Sequence, residues 1–164
     1  MASRRILRDE ASTGSASPQD ERGRGGRAPL YTRDILRLAA TISHQVRFEE
    51  LEGVSEIRSP TCGSRVRVAV EMGGDRVEGF SQAVEACAFG QASAALMGAE
   101  ARGKTAEDVR AAIVGIAAWL NGDDAAVTAW PGLAVLDPAR SRTARHGAIL
   151  LPFRALLAAI EKAR

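Results

Sequence analysis

The sequence predicts an α+β domain in which a three-stranded antiparallel sheet is followed by helices. Residues 54–59 and 64–71 alternate apolar and polar side chains, as half-buried strands do. Gly73, Gly74 and Asp75 then predict a tight hairpin that leads into a third strand over residues 76–84. Such a meander presents one face to helices and one to solvent, and helical patterns dominate the chain after it.

Apolar residues at helical spacing predict four helices, and the residues at their ends support the assignment. Thr105 is a good N-cap with Asp108 at the capping-box position, and Asn121-Gly122 ends that helix. Residues 123–137 form a predicted connector, and Pro152 either kinks the last helix or marks its true start. The predicted helices cover residues 30–41, 87–101, 105–120 and about 141–162.

Length and charge place this chain among single-domain globular proteins and exclude several functions. It has 164 residues, a net charge of +2 and no continuous basic stripe, which argues against nucleic-acid binding. No stretch approaches the roughly 18 apolar residues of a membrane span. With only two cysteines, a cytoplasmic chain with reduced thiols is expected. The Arg-, Ser- and Gly-rich residues 1–28 predict a disordered tail before a domain over residues 29–164.

The two cysteines are the candidate functional residues. Cys62 lies in a turn bracketed by Pro60 and Gly63, which projects a thiol from a loop tip. Cys87 begins a helix, where unpaired N–H groups and the positive end of the helix dipole stabilise a thiolate. The predicted meander between them brings both to the same end of the sheet. A buried cysteine that acts as a small hydrophobic residue, and tight helix packing by the small residues after Cys87, are the alternatives.

Two thiolates alone do not complete a tetrahedral metal site. His146, His44 and nearby carboxylates are candidates for the remaining ligands, although a single histidine is more often structural. The chain has no Ser/His/Asp arrangement, phosphate-binding glycine loop or metalloprotease motif, so it is not expected to be an enzyme. Arg140, Arg142 and Arg145 form a basic cluster that is either solvated or contacts an acidic partner.

Four segments together resemble the IscU and NifU N-terminal-domain family of iron–sulfur cluster assembly scaffolds. The turn Pro60-Thr61-Cys62-Gly63 resembles the Pro-x-Cys-Gly-Asp motif of that family, and the Cys87 segment is similar to its second motif. Tyr31 to Ala39 resembles its first helix, which also begins near a tyrosine. Arg145 to Leu156 resembles the third motif in its SufU-like form, in which a cysteine stands at the position of Ala148.

Two residues depart from the family pattern. Ser64 replaces the aspartate that follows Cys-Gly, and Ala148 replaces the third cysteine, so Cys62 and Cys87 remain from the usual ligand set. A serine hydroxyl stays protonated at neutral pH and is a poor ligand, and alanine is none. His146 lies two residues before Ala148, and it could reach the site if the last helix starts later than predicted.

The resemblance implies an IscU/NifU-N-like fold and a scaffold or accessory protein that binds iron or a labile [2Fe–2S] cluster through Cys62 and Cys87. It also implies a cysteine desulfurase as sulfur donor and apo iron–sulfur proteins as acceptors. His146, a small thiol or a second subunit in a homodimer would complete the ligands, and zinc is a possible alternative metal. Two other functions stay open: a degenerate scaffold that binds a desulfurase without a cofactor, and a sulfurtransferase that carries persulfide on Cys62 or Cys87.

Overall fold

The sheet of this computed structural model, which describes residues 29–42, 51–124 and 130–164, is the predicted antiparallel meander. Its strands run in the order β1-β2-β3. Gly73 pairs with Arg76, so the hairpin turn consists of Gly74 and Asp75 alone, and Gly74 has a φ of 66°. Glycine adopts that left-handed conformation without steric cost. The strands are β1 (Gly53–Arg58), β2 (Arg65–Gly73) and β3 (Arg76–Glu85).

One face of the sheet is covered by helices and the other carries charge, as the alternation in sequence predicts. Val66, Val68 and Val70 are fully buried on the helix-covered face of β2. Arg65, on the opposite face, pairs with Glu56 and Glu85 from the neighbouring strands. The strand pattern therefore fixes which residues form the core and which face water.

All four predicted helices are present, with ends close to those expected. Thr32 caps the first helix by accepting a hydrogen bond from the Ile35 amide, so that helix starts slightly later than predicted. Thr105 and Asp108 form a complete capping box at the start of the third. The helices are α1 (Arg33–Ala39), α2 (Ala88–Glu100), α3 (Ala106–Leu120) and α4 (Thr143–Lys162).

One feature of the C-terminal half differs from the expectation, and the position of Pro152 decides between two alternatives. Part of the predicted connector forms a 3-10 helix, Leu133–Ala139, because Leu133, Leu136 and Ala139 recur every third residue and are buried. Pro152 lies inside α4 and does not mark its start. The tail over residues 1–28 and His44 lie outside the described residues. Among the helices in the described ranges, none is long and apolar enough to cross a membrane.

Helix α4 runs antiparallel to β1 across the sheet. A Cβ on Gly53, at the start of β1, would collide with the main-chain oxygen of Ala159 near the C-terminal end of α4. Lys162 Nζ donates to the Val54 oxygen at 3.1 Å. Because α4 extends about 1.5 Å per residue, its first turns reach the opposite end of β1, where β1 turns into β2.

Candidate functional site

Cys62 lies near the tip of the loop that joins β1 to β2. The Ser59 amide donates to the Ser64 oxygen at 2.8 Å and closes this loop. The Ser59 hydroxyl accepts from the amides of Thr61 and Cys62, each at 3.4 Å. Gly63 has a φ of 70°, which a side chain would disfavour. The loop therefore holds Cys62 in a defined, half-buried position.

Hydroxyl groups around Cys62 favour its thiolate. Hydrogen bonds from Ser59 and Ser64 are the largest causes that lower the pKa of the Cys62 thiol, and the positive charge of Arg145 acts in the same direction. The Cys62 Sγ and Ser64 Oγ atoms are 3.1 Å apart. After the thiol loses its proton, the Ser64 hydroxyl can turn to donate to the sulfur, which stabilises the charged form.

Cys87 is the N-cap residue of α2. Its main-chain oxygen accepts from the Gln91 amide at 2.9 Å, while its side chain makes no capping hydrogen bond. The thiol is partly exposed and carries no disulfide. The unsatisfied amides of the first helical turn face this end of the helix, which is a favourable place for an anion or thiolate.

The strand register brings both cysteine segments to one end of the sheet. Arg65 pairs with Arg58 on one side and with Glu85 on the other. The Cys62 loop precedes Arg65, and Cys87 follows Glu85 by two residues. We call the region formed by the 59–64 loop, Cys87 and the first turns of α4 the cysteine end.

The first turns of α4 place Arg145 and Ala148 at the cysteine end. Arg145 acts electrostatically on Cys62, as noted above. Ala148 is 1% exposed and packs on the first turn of α2, where a Cβ added to Gly90 would lie 3.6 Å from the Ala148 Cβ. The position at which the family pattern has a third cysteine thus lies one helical turn from Cys87.

The positive N-terminal ends of α2 and α4 both lie at the cysteine end. Neither α2 nor α4 has an acidic residue in its first turn, and neither receives a side-chain capping hydrogen bond. Two helix N-termini and the Arg145 guanidinium therefore face the segments that carry the thiols. Such an arrangement stabilises thiolates and the negative charge of a thiolate-bound metal cluster.

The structure does not bring His146 together with the cysteines. Its Nε2 lies 3.0 Å from the Arg140 oxygen, which can only accept, so Nε2 carries the proton. The ring lines a separate cavity of about 540 Å³ with Asn121 and Asp137. Within residues 29–42, 51–124 and 130–164, no three His, Cys, Asp or Glu side chains form a group that could hold a metal ion.

Sequence analysis missed the role of Ser59 and the electrostatic effect of Arg145 on Cys62. A serine three positions before a cysteine, with proline between them, is the signal for a turn in which the hydroxyl binds main-chain amides. The sequence places Arg145 in the third motif and in a basic cluster, and neither predicts an effect on Cys62. Its proximity to Cys62 depends on the packing of α4 over the sheet, which local sequence does not determine.

Comparison with known proteins identifies the family. No protein-family model and no curated protein matches the chain. Among solved structures, the N-terminal part of a nitrogen-fixing NifU-like protein from Brucella abortus matches with 30% sequence identity and a TM-score of 0.71. The match covers 82% of this chain and 94% of that one. This chain belongs to the family of NifU-like N-terminal domains.

A second solved structure has a fold similar to that of this NifU-like domain. It is a putative iron–sulfur cluster assembly scaffold protein for the SUF system from Fervidobacterium islandicum AW-1. The two share 22% sequence identity with a TM-score of 0.69, and the match covers 80% of this chain and 96% of the other. The resemblance inferred from the Cys62, Cys87 and Arg145 segments is thereby confirmed for family and fold.

Proposed function

We propose that this NifU-like domain is an iron–sulfur cluster assembly scaffold or accessory protein in the cytoplasm, and that Cys62 and Cys87 bind the iron or the cluster. The convergence of both cysteine segments at one end of the sheet is the observation that carries the proposal. Both thiols are partly exposed, and the surrounding helix N-termini and Arg145 favour anionic sulfur.

The cluster is cargo in this proposal. Sulfur arrives from a cysteine desulfurase as a persulfide, whose outer sulfur an external electron donor reduces to sulfide. The thiolates of Cys62 and Cys87 hold iron while the cluster forms. Because a site with few protein ligands binds its cargo weakly, the product can pass to an apo acceptor protein. The family likeness supports this class of partners.

The chain supplies half of the thiolates that a [2Fe–2S] cluster needs. The geometry favours completion by a second copy or a small thiol, since His146 bonds to the Arg140 carbonyl. Two copies joined through their cysteine ends would contribute four thiolates. Dimerisation that depends on iron and sulfide is therefore expected. Zinc binds more weakly than at a complete tetrahedral site, since at most two protein thiolates are present.

Anaerobic reconstitution with iron and sulfide tests the proposal. The wild type is expected to develop a labile visible chromophore with stoichiometric iron, and Cys62→Ser and Cys87→Ser are each expected to lose it. His146→Ala is the matched control and is expected to retain it, because that ring lies in its own cavity. A folded wild-type protein that takes up no specific iron or zinc would contradict cluster binding.

A second candidate function is a desulfurase-binding adaptor without a cofactor. Ser64 and Ala148 favour it, because neither side chain supplies the ligand found there in the family pattern. Binding of a purified cysteine desulfurase to the double variant Cys62→Ser, Cys87→Ser separates the two functions. Full affinity together with no iron uptake by the wild type would support the adaptor, whereas cluster formation by the wild type would support the scaffold.

A further inference from the structure

The outer edge of β3 has main-chain groups without strand partners. Beside the hairpin, Val77 faces this edge, and its amide and oxygen bond Lys104 and Gly103 at 3.0 and 2.7 Å. A bulge then shifts the pairing, since Met72 pairs with Val77 and Glu71 with Gly79, which leaves Glu78 as an extra residue.

Along a strand, the N–H and C=O groups of successive residues point alternately to the two neighbouring sides. Beyond the bulge, those of Phe80, Gln82 and Val84 point away from β2. No main-chain partner on the outer edge is found for these three among the described residues. Exposed strand edges pair readily with another extended chain unless they are covered.

Two cavities lie along this open stretch of edge, between β3, α2 and the C-terminal end of α1. One, of about 360 Å³, is lined by Ala39, Ala40, Ile42, Gln91 and residues 82–85. The other, of about 390 Å³, is lined by apolar residues such as Leu38 and Phe80 and by polar residues that include Gln82 and Arg102. Gln82 lines both, so we call the pair of cavities with the edge between them the β3-edge groove.

Gln82 has a buried acceptor that lacks a donor. The residue as a whole is 3% exposed, and its Nε2 donates to the Ala94 oxygen at 3.1 Å. That contact fixes the amide orientation, because a main-chain oxygen only accepts. The Oε1 atom is therefore the one without a partner in the described structure. A buried unsatisfied acceptor costs about 1–3 kcal/mol, which an incoming N–H would relieve.

Charge at the two ends of the groove is unequal. Glu85, at one end, is paired with Arg65. Arg102, at the other end, is exposed and forms no ion pair within the described ranges. The groove thus offers the Arg102 guanidinium beside the apolar side chains of Leu38 and Phe80. This arrangement suits a ligand that has an acidic side chain next to an apolar side chain.

We propose that the β3-edge groove binds an extended, acidic segment of another protein, which adds to β3 as a fourth strand. Main-chain bonds to Phe80, Gln82 and Val84 supply affinity, the two cavities take alternate side chains, and Arg102 selects the acidic end. This interaction goes beyond the proposed scaffold function. It involves neither cysteine and needs no cluster.

Short synthetic peptides of alternating valine and threonine, with glutamate or lysine at either end, test this proposal. Amide hydrogen exchange is measured on the full chain without iron. A glutamate peptide is expected to protect the amides of Phe80, Gln82 and Val84. The same peptide with N-methylated peptide bonds is expected to give no protection, because it lacks the donors.

Two surface variants make the test specific. Arg102→Glu is expected to weaken the glutamate peptide about two- to fivefold, the size of an exposed ion pair, and to strengthen the lysine peptide. Arg154→Glu, an exposed site on α4, is the matched control and should change neither. Gln82→Met keeps the packing volume and is expected to weaken both peptides.

Three results would overturn the proposal. They are no protection by any peptide at millimolar concentration, protection confined to other residues, and concentration-dependent self-association that protects the same amides. The last would make the groove a contact between copies of this chain. Since the measurement uses no iron and the proposed contacts involve neither cysteine, failure here leaves the scaffold proposal unaffected.

Discussion

The Ser93 hydroxyl donates to the main-chain oxygen of Ile149 at 2.6 Å, which joins the middle of α2 to the second turn of α4. Ser93 is fully buried. Pro152 follows in α4 and has no amide hydrogen, so the Ala148 oxygen lacks its usual donor and this stretch of helix is locally weakened. The Ser93 bond therefore helps to hold Ala148 and Arg145 at the cysteine end.

Replacing Ser93 with alanine is expected to destabilise the fold. The substitution removes a buried hydrogen bond, so the free energy of unfolding should fall by about 1 kcal/mol. Urea denaturation followed by circular dichroism measures the change. Ser141→Ala, at an exposed position, serves as control and should leave the midpoint unchanged. Equal midpoints for the two variants would show that the Ser93 bond contributes nothing.

Two glycine substitutions are expected to have opposite effects on stability. A Cβ on Gly90 would lie 2.7 Å from the Ala86 Cβ, in the segment before α2, and 3.3 Å from the Ala148 oxygen of α4, so Gly90→Ala overpacks this contact and costs about 1–3 kcal/mol. A Cβ on Gly147, also helical, meets nothing within 4 Å, so Gly147→Ala should stabilise by about 0.5–1 kcal/mol. Thermal unfolding of both variants checks the sign. A stabilised Gly90→Ala would refute the close packing described here.

Introducing a cysteine at position 148 is expected to create a zinc site. Ala148 packs one turn from Cys87, so Ala148→Cys should add a third thiolate at the cysteine end. Zinc affinity, measured by competition with a chromophoric chelator, should rise about tenfold or more, which corresponds to about 1.4 kcal/mol. Ala158→Cys, near the other end of α4, is the matched control. The same affinity in both variants would place position 148 outside ligand reach.

The reactivity of Cys62 should depend on Ser64. Because hydrogen bonds from Ser59 and Ser64 lower the pKa of Cys62, iodoacetamide should modify it with a midpoint below the usual thiol value, in a Cys87→Ser background. Ser64→Ala should move that midpoint to higher pH, while Ser141→Ala should not. An unchanged midpoint in Ser64→Ala would disprove the assigned contact.

The lowered pKa of Cys62 determines the direction in which stability changes with pH. The fold favours the Cys62 thiolate, so this ionisation contributes to stability above the ordinary thiol pKa. The contribution is lost as the pH falls through the pKa of Cys62 in the folded protein. Comparing wild type with Cys62→Ser in urea at several pH values isolates it.

The elements with local signals were predictable, and the side-chain directions on α4 were not. Alternation in β2, the Gly74 turn and the Thr105 capping box each involve neighbours in sequence. The start of α4 had no such local signal, since Pro152 offered an alternative start. Only once α4 begins at Thr143 do Arg145 and Ala148 share a face, with His146 about 100° away around the helix. The placement of His146 therefore required the packed structure.

The crossing of α4 over β1 and β2 sets an order of events during synthesis. The valines of β2 emerge from the ribosome about seventy residues before α4 begins. Their apolar face therefore stays uncovered while α2 and α3 are being made, and it closes only when a distant segment arrives. Contacts between segments so far apart in sequence form slowly. The packing of the β2 valines therefore cannot be completed until α4 has been synthesised.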